Sequence, residues 1–419
     1  MRIALVVHQY LPEHVGGTEV YTHSLAEALT RQGHSVTVFF PDAAVNDDSQ
    51  ETIDAHMAWR APASPPFGPL GPLGQFWRTF RNPETERSYR RMLAQIDPEI
   101  VHVQHVQNTS VRLLALSGAR AVFLTLHDYW YRCAQGQLDY VDHSVCQGPS
   151  GACAECARAR SSRPLPVALR PAIALPMAYR NAYITWMLTF VERFIAPSHH
   201  VRDQYVRWGM DAGRITVLPN GVDLERLRSH GAGISEPSAG ITFGYLGALA
   251  PSKGVQTLVD AFQEMPSKAR LRLIGDEEAF PAYVRELRER ARSGVSFCGP
   301  VPSNRVGDAL RSIDCLIVPS LVSETYSMVV DEAHAMGVPV VASRIGALTR
   351  IRDGIDGRLF DPGNVTELRR ILRELASQPD LCRRYASALP RVPDVNEQAE
   401  KLGALYAESV AARKTVGRA

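Results

Sequence analysis

At 419 residues the chain is too long for one ordinary hydrophobic core and suits two domains of about 150 to 200 residues with a cleft between them. A composition of 45% hydrophobic and 21% charged residues is that of a soluble globular protein, and a formal charge of +2 excludes bulk attraction to nucleic acid, which is not expected as a partner. No stretch reaches the roughly 18 uninterrupted apolar residues of a membrane span, and the seven cysteines fit a reducing compartment, so a cytoplasmic protein is expected.

The opening MRIALVVHQYLPEHVGG has an apolar run too short for a bilayer, lacks a small-residue cleavage site and passes straight into turn residues. It reads as a buried first strand at residues 3–7. Tyr21, Leu25, Ala28 and Leu29 then recur at helical spacing, Gly33 closes that helix, and Val36, Val38 and Phe40 form a second strand. Strand, loop, helix and strand within about 40 residues mark a right-handed parallel unit. Further strands are predicted at 100–105, 122–126 and 194–196, giving an open parallel sheet. Residues 42–50 and the Pro/Gly-rich 61–74, APASPPFGPLGPLG, read as surface loops.

Cys133, Cys146, Cys153 and Cys156 fall within 24 residues, too densely for core positions. In a reducing compartment they predict a structural zinc knuckle of four thiolates, with disulfides or free thiols as the alternatives. Residues 168–190, ALRPAIALPMAYRNAYITWMLTF, are apolar and aromatic with few charges, and Pro176 and Arg180 interrupt them as a span. They predict either a helix packed on the first sheet or an interfacial element. In the second case the basic WRTFRNPETERSYRR at 77–91 helps to bring the chain to a membrane surface.

After VLPNGVD the polar residues 224–240 mark a domain boundary. Strands then recur at 241–246, 271–274, 295–297, 315–318 and 338–342, between helical stretches such as 256–262 and 283–292, which is a second parallel sheet flanked by helices. Ligands of such sheets sit beyond the carboxyl ends of the strands, where helix N-termini present unpaired N–H groups. Three loops there stand out. In GALAPSKG, Gly247 and Gly254 permit tight turning and Lys253 precedes a helix, so a cation and backbone amides meet where phosphate can bind. CGPVPSN is the second. In the third, SETYSMVVDEAHAMG, Glu324 and Glu332 are eight residues apart, which on one continuous helix leaves them about 80° out of line. If Glu324 lies in the loop and Ser327 caps the helix, the amides of residues 325–329 face an anion between the two carboxylates. That is the outline of a sugar, a diphosphate and a ribose. The small or apolar Ala333, Ala335, Met336 and Gly337 imply that Glu332 is buried and needs partners.

Taken together, SETYSMVVDEAHAMGVPVVAS, GALAPSKG, VLPNGVD and YLPEHVGGTEVYTHSLAEALTRQGHSVTVF resemble the retaining nucleotide-sugar glycosyltransferases of family four, in a subgroup with a cysteine-bearing insert after HDYW. The resemblance covers nearly the whole chain. It implies an α/β protein of GT-B architecture, two Rossmann-like doubly wound parallel-sheet domains facing across a cleft. Residues 1–220 would be the acceptor-side domain, with the cysteine insert at 133–160. Residues 221–395 would be the nucleotide-sugar donor domain, and 396–419 a helix crossing back to the first. The implied reaction moves a hexose from a UDP- or GDP-linked donor to a hydroxyl of a sugar, glycolipid or small-molecule acceptor with retention of configuration, in polysaccharide, glycolipid or glycoconjugate biosynthesis.

The same resemblance implies the site. Glu324 meets the donor sugar, Glu332 the ribose, and Lys253 beside Gly247 the diphosphate, with amides from Thr325, Tyr326, Ser327 and Met328. Cys298, Gly299 and Val301 border the base. Gly16 and Gly17 approach the phosphates or reacting groups, and His127, in TLHDYW, faces the donor sugar. Glu324, His127 and Lys253 form the expected catalytic set. Two positions depart from the family pattern. Ala248 stands where an arginine usually follows the glycine, leaving Arg344 or Arg350 to replace it, and Arg350 stands where an acid is common.

A leaving nucleoside diphosphate gathers negative charge as the sugar becomes cation-like, so electrostatic stabilisation matters more than a strong base. No Asp-x-Asp pair follows a strand, and no cofactor is expected for catalysis. A sugar-nucleotide epimerase or hydrolase, or an inactive carbohydrate-binding protein favoured by Ala248, are the rival readings. The expected location is cytoplasmic, peripheral on the inner face of the membrane.

Overall fold

The computed structural model describes residues 1–63, 71–140, 144–160, 166–228, 240–378 and 380–416. Its contacts divide the chain into two compact units. The first holds most of the chain up to Gly221 together with the C-terminal stretch from Val395, and the second spans Val222–Asp394 with the short segment around Cys146.

The first unit is built on an eight-stranded sheet of β1 (Arg2–Val6), β2 (Ser35–Asp42), β3 (Ser49–Ile53), β4 (His56–Pro62), β5 (Ile100–Val103), β6 (Ala121–Thr125), β7 (Arg193–Ala196) and β8 (Ile215–Val217), in the order β3-β4-β2-β1-β5-β6-β7-β8. All pairs are parallel except β3 with β4. Helices cover both faces, which is why β1, β5 and β6 are nearly continuous apolar runs with no alternation. Tyr21, Leu25, Ala28 and Leu29 are buried along one side of the helix Gly17–Arg31, as their spacing implies. The C-terminal helix Val395–Val416 belongs to this unit. Its Tyr406 hydroxyl meets His102 Nδ1 of β5 at 2.5 Å, and its Arg413 pairs with Glu192 at 2.6 Å.

The second unit carries a six-stranded, wholly parallel sheet of β9 (Thr242–Leu246), β10 (Arg270–Ile274), β11 (Val295–Phe297), β12 (Cys315–Val318), β13 (Val340–Ser343) and β14 (Gly357–Phe360), in the order β11-β10-β9-β12-β13-β14. Successive strands run outward in one direction from β9 and in the other from β12. The reversal between them is a topological switch point, and β1 and β5 make the equivalent one in the first unit.

The expected loops need correction. Residues 42–50 include the end of β2 and the start of β3, joined to β4 by a turn with Asp54 at φ 48°. This hairpin closes the sheet edge with the polar SQETI, a short edge strand whose charged Glu51 disfavours further pairing. Within 61–74, Ala61 and Pro62 end β4, residues 64–70 lie outside the described residues, and Gly71 opens the helix Gly71–Phe80. Pro72 is tolerated there because the first turn has no intrahelical N–H bond to lose. Part of the expected boundary at 224–240 is the helix Leu224–Arg228, and residues 229–239 lie outside the described residues. The aromatic segment is one helix, Arg170–Met187, continuous through Pro176, and no described helix is long and apolar enough to cross a membrane.

Candidate functional site

In the second unit the loops beyond β9, β10, β11 and β12 nest against one another. Gly247 N–H donates to the Ile274 carbonyl at 3.0 Å, Gly275 N–H to Gly299 at 2.9 Å, and Leu321 N–H to Ser252 at 2.9 Å. Gly254 ends the short 3-10 turn Pro251–Lys253 at φ 69°, and a Cβ there would lie 1.9 Å from the Pro319 carbonyl oxygen. Only glycine lets the β9 loop reach the β12 loop. Cys298 is exposed, Gly299 takes φ 68° and Val301 is half-buried, so these three line the outer end of the row.

This nesting delivers Lys253 to Glu324. The ammonium Nζ meets Oε1 at 2.7 Å, and the Ser320 hydroxyl donates to the same oxygen at 2.5 Å. Burial pushes the Glu324 carboxyl up, but the Lys253 charge, the two hydrogen bonds and the Arg350 charge outweigh it and hold the group below the usual carboxylate range. Glu324 is therefore an ionised acceptor set in a partly desolvated loop. Its backbone is fixed from below by Gly346, at φ 55°, where a Cβ would come within 2.4 Å of the Glu324 carbonyl oxygen. The Ala347 N–H donates to that carbonyl at 2.8 Å.

The following residues lead into the helix Met328–Ala335. Thr325 is half-buried, and Tyr326 is buried beneath the Arg350 guanidinium, which stands 4.6 Å from its ring centroid. Ser327 occupies the N-cap position, but at φ 66° and ψ 79° and with no capping bond from its hydroxyl, which corrects the expected cap. Arg350 does the bracing instead: it donates to the Tyr326 and Ser327 carbonyls and pairs with Asp331 at 3.3 Å. The helix start, led by Met328, still presents amides that an α-helix cannot satisfy internally.

Glu332 lies one turn into that helix, with its side chain only 10% exposed. The partner that burial demanded is Arg226, whose Nη2 reaches Glu332 Oε1 at 2.5 Å from the helix Leu224–Arg228. Neither candidate replacement for the arginine absent at Ala248 is idle. Arg350 holds the loop, and Arg344 pairs with Asp353 at 3.2 Å and donates to the Leu359 carbonyl. Arg226, Ser320 and Gly346 escaped sequence reasoning. Arg226 fell in the polar stretch read as a linker, although the alternation of charge and leucine in LERLR was a visible helical signal.

In the first unit, Gly16 is the N-cap of the helix Gly17–Arg31, and a Cβ on it would stand 2.5 Å from Glu19 Oε2. Glu19, buried, accepts from Gln9 Nε2 at 3.0 Å and lies 3.9 Å from His8 Nε2. His127, beyond β6, sets its Nε2 2.9 Å from Gln104 Oε1, with the Tyr21 ring edge-on at 5.0 Å between centroids. Burial lowers His127 to about 3, with a contribution from His105 that outweighs Asp128. With its proton affinity lowered this far the ring is neutral at pH 7 and a poor proton donor or base.

Cys133, Cys146, Cys153 and Cys156, the thiols of the expected zinc knuckle, are each half-buried. Among the described residues no three His, Cys, Asp or Glu side chains group closely enough to hold a metal ion. Cys153 and Cys156 lie on the helix Cys153–Ala159, where Cys153 Sγ accepts from the Ser150 N–H at 3.3 Å and Cys156 Sγ lies 3.9 Å from the Asp139 carbonyl. Cys133 donates its N–H to the Tyr129 carbonyl, and Cys146 falls with the other unit.

The profile described as Glycosyltransferase Family 4 matches residues 15–226, and the one described as Glycosyl transferases group 1 matches 240–378. A D-inositol 3-phosphate glycosyltransferase of Catenulispora acidiphila is 32% identical over 196 residues, taking in 41% of this chain and 46% of the relative. The chain spans about half the length of the curated relatives it matches. Among solved structures, sucrose-phosphate synthase from Thermosynechococcus elongatus superposes with a TM-score of 0.73 at 19% identity, covering 98% of this chain and 99% of that one. Anabaena HepE, solved in complex with UDP and glucose, gives 0.68 at 19% identity, over 97% and 100%. The likeness to these structures bears on the fold alone, which is the GT-B fold of two parallel-sheet α/β domains.

Proposed function

Because the chain belongs to glycosyltransferase family 4, we propose that it transfers a hexose from a nucleotide-diphosphate sugar to an acceptor hydroxyl with retention of configuration. The observation that carries this reading is the pair of buried carboxylates, each already held by a cation, on either side of a helix N-terminus: Glu324 on Lys253, and Glu332 on Arg226. Ionised carboxylates accept hydrogen bonds from sugar and ribose hydroxyls, and the amides and Lys253 between them suit a diphosphate. The UDP and glucose in the HepE structure support a donor of this class.

In the proposed reaction the bond from the sugar anomeric carbon to the diphosphate oxygen breaks, and a bond to the acceptor oxygen forms on the same face. The acceptor proton passes to the leaving phosphate. Lys253 and the amides beginning near Met328 stabilise the departing charge. Glu324 holds the sugar through its hydroxyls, and His127 orients it as a neutral hydrogen-bonding ring. No step draws on a divalent metal. The acceptor is a sugar, glycolipid or small molecule used in surface glycoconjugate synthesis on the cytoplasmic side of the membrane.

The test is turnover of UDP-glucose and GDP-mannose in EDTA, with and without sugar or glycolipid acceptors. Acceptor-dependent release of nucleotide is expected, and Glu324→Gln should lower kcat about 100-fold while still binding UDP. Release at full rate from donor alone would assign a hydrolase. Binding with no turnover for any acceptor would assign a carbohydrate-binding protein.

A further inference from the structure

Two of the cysteines meet inside the second unit, away from the loops of the candidate site. Cys315 opens β12, in register with Phe243 of β9, and is 1% exposed. Cys382 comes from the helix Asp380–Ser387, far along the chain, and the two thiols hydrogen-bond to each other within a hydrophobic core that also holds Phe243, Phe360 and Tyr385. The Cys315 sulfur also reaches the Leu316 carbonyl at 3.7 Å. Both thiols are free. One buried cysteine is usually an inert apolar filler, whereas two in contact, delivered by separate elements, supply what a disulfide requires.

Access to the pair is one-sided. Cys382, 7% exposed, helps to line a cavity of about 510 Å³ whose walls include Ile241, Ile313, Asp314 and Pro339, the residues that lead into β9, β12 and β13. This is the amino end of the sheet, opposite the carboxyl end from which Lys253 and Glu324 extend. Cys315 is not among the cavity walls, and its hydrogen bond to Cys382 together with burial pushes its thiol up. A small oxidant arriving through the cavity therefore meets Cys382 first. The helix that carries Cys382 buries only that side chain and Tyr385, so a covalent bond from Cys382 to the sheet would add substantially to what attaches it.

We propose that Cys315 and Cys382 form a reversible oxidation site, in which hydrogen peroxide converts Cys382 to a sulfenic acid and Cys315 resolves it to a disulfide that ties the helix Asp380–Ser387 to β12. In the first step the Cys382 sulfur attacks one peroxide oxygen, an S–O bond forms, the O–O bond breaks, and the departing hydroxide takes up the thiol proton as water. In the second the Cys315 sulfur attacks the Cys382 sulfur, the S–S bond forms, the S–O bond breaks, and a second water leaves with the Cys315 proton. Two thiols and one peroxide thus give one disulfide and two waters. A dithiol returns the pair to its reduced form by exchange. The site does not depend on the transfer reading.

The experiment takes the full chain, reduced and freed of reductant, treats it with a small excess of hydrogen peroxide, blocks the remaining thiols with N-ethylmaleimide and maps the peptides without reduction. A peptide joining Cys315 to Cys382 should become the main product of these two residues and should vanish with dithiothreitol. The melting temperature should rise by about 5 °C or more on oxidation and return on reduction, because a cross-link between residues so far apart in the chain restricts the unfolded state. Cys382→Ala should show no such rise. Cys315→Ala keeps the entry thiol without the resolving one, so after peroxide dimedone should label its Cys382 at least about tenfold more than the parent's. The proposal is overturned if Cys382 is alkylated as fully after peroxide as before, or if it proceeds to sulfinic acid while Cys315 remains alkylated. A linkage that forms only when the chain is unfolded in urea overturns it as well.

Discussion

The two units share a parallel sheet with a switch point, yet they furnish the loops at that point with opposite chemistry. The second unit keeps its charges and pairs them, Lys253 with Glu324, Arg226 with Glu332 and Arg350 with Asp331. The first gathers His8, His105 and His127 near a buried Glu19, sets the His8 and His105 rings at a tilt of 53° with centroids 4.5 Å apart, and drives His8 and His127 well below the usual imidazole range by burial. Topology therefore supplies a place, and side chains decide what can bind there. A set of ionised groups whose partners can exchange suits phosphate and hydroxyls. Neutral rings suit a ligand without charge.

Removing one charge from the second unit should give the largest effect. Lys253→Met takes away the cation proposed to face the leaving diphosphate, and kcat/KM should fall about 10² to 10³-fold. It also strips Glu324 of its main partner. Burial then goes unopposed by Lys253, so the Glu324 carboxyl rises, and the acid limb of the pH–rate profile should move to higher pH than in the parent. An unchanged limb would mean that Glu324 ionisation does not govern activity. The parallel change in the first unit, His8→Gln, removes no charge at pH 7 and provides the contrast.

Much of this arrangement is readable in the sequence because it follows from periodicity and local turn chemistry. The runs at 3–7 and 122–126, the helix under Tyr21 to Leu29, and the burial of Glu332 among small residues all follow from patterns a few residues long. Other features do not. The β3–β4 hairpin is short and polar, and its edge position is fixed by pairing with β2 alone. Gly346 and Arg350 act on Glu324 and Ser327 from about two dozen residues further along the chain, and Arg226 reaches Glu332 from another element altogether. Such contacts are set by the sheet's strand order, which spacing does not encode.

A second prediction concerns the cation–carboxylate pair that burial made necessary. Arg226→Met leaves Glu332 enclosed and unpaired, which should cost about 3 kcal/mol of stability, whereas the neutral, similarly shaped Glu332→Gln should cost less. Both should raise the donor KM more than they lower kcat, because ribose is remote from the reacting carbon. Urea unfolding of the two single variants and the double variant would give the coupling. Additive effects would show that Arg226 does not support Glu332.

At neutral pH the first unit should respond least, and its effect is read in acid. His127 has a folded value of about 3 against an ordinary 6.5, so between those limits the unfolded chain binds a proton that the folded ring refuses. Stability must then fall as pH drops from 6.5 toward 3, by about 1.4 kcal/mol per pH unit for that one group, and level off below. His127→Gln removes the proton difference and should flatten this part of the curve, while at pH 7, where the ring is neutral in both states, the melting temperature should change little. His102, also lowered to about 3, chiefly by burial and in part by His127, and bonded to Tyr406 and Thr125, keeps most of its own slope in the variant. The difference between the two curves therefore reports His127 together with its small effect on its neighbours, and an unaltered acid slope would return that imidazole to the group of charged catalytic candidates.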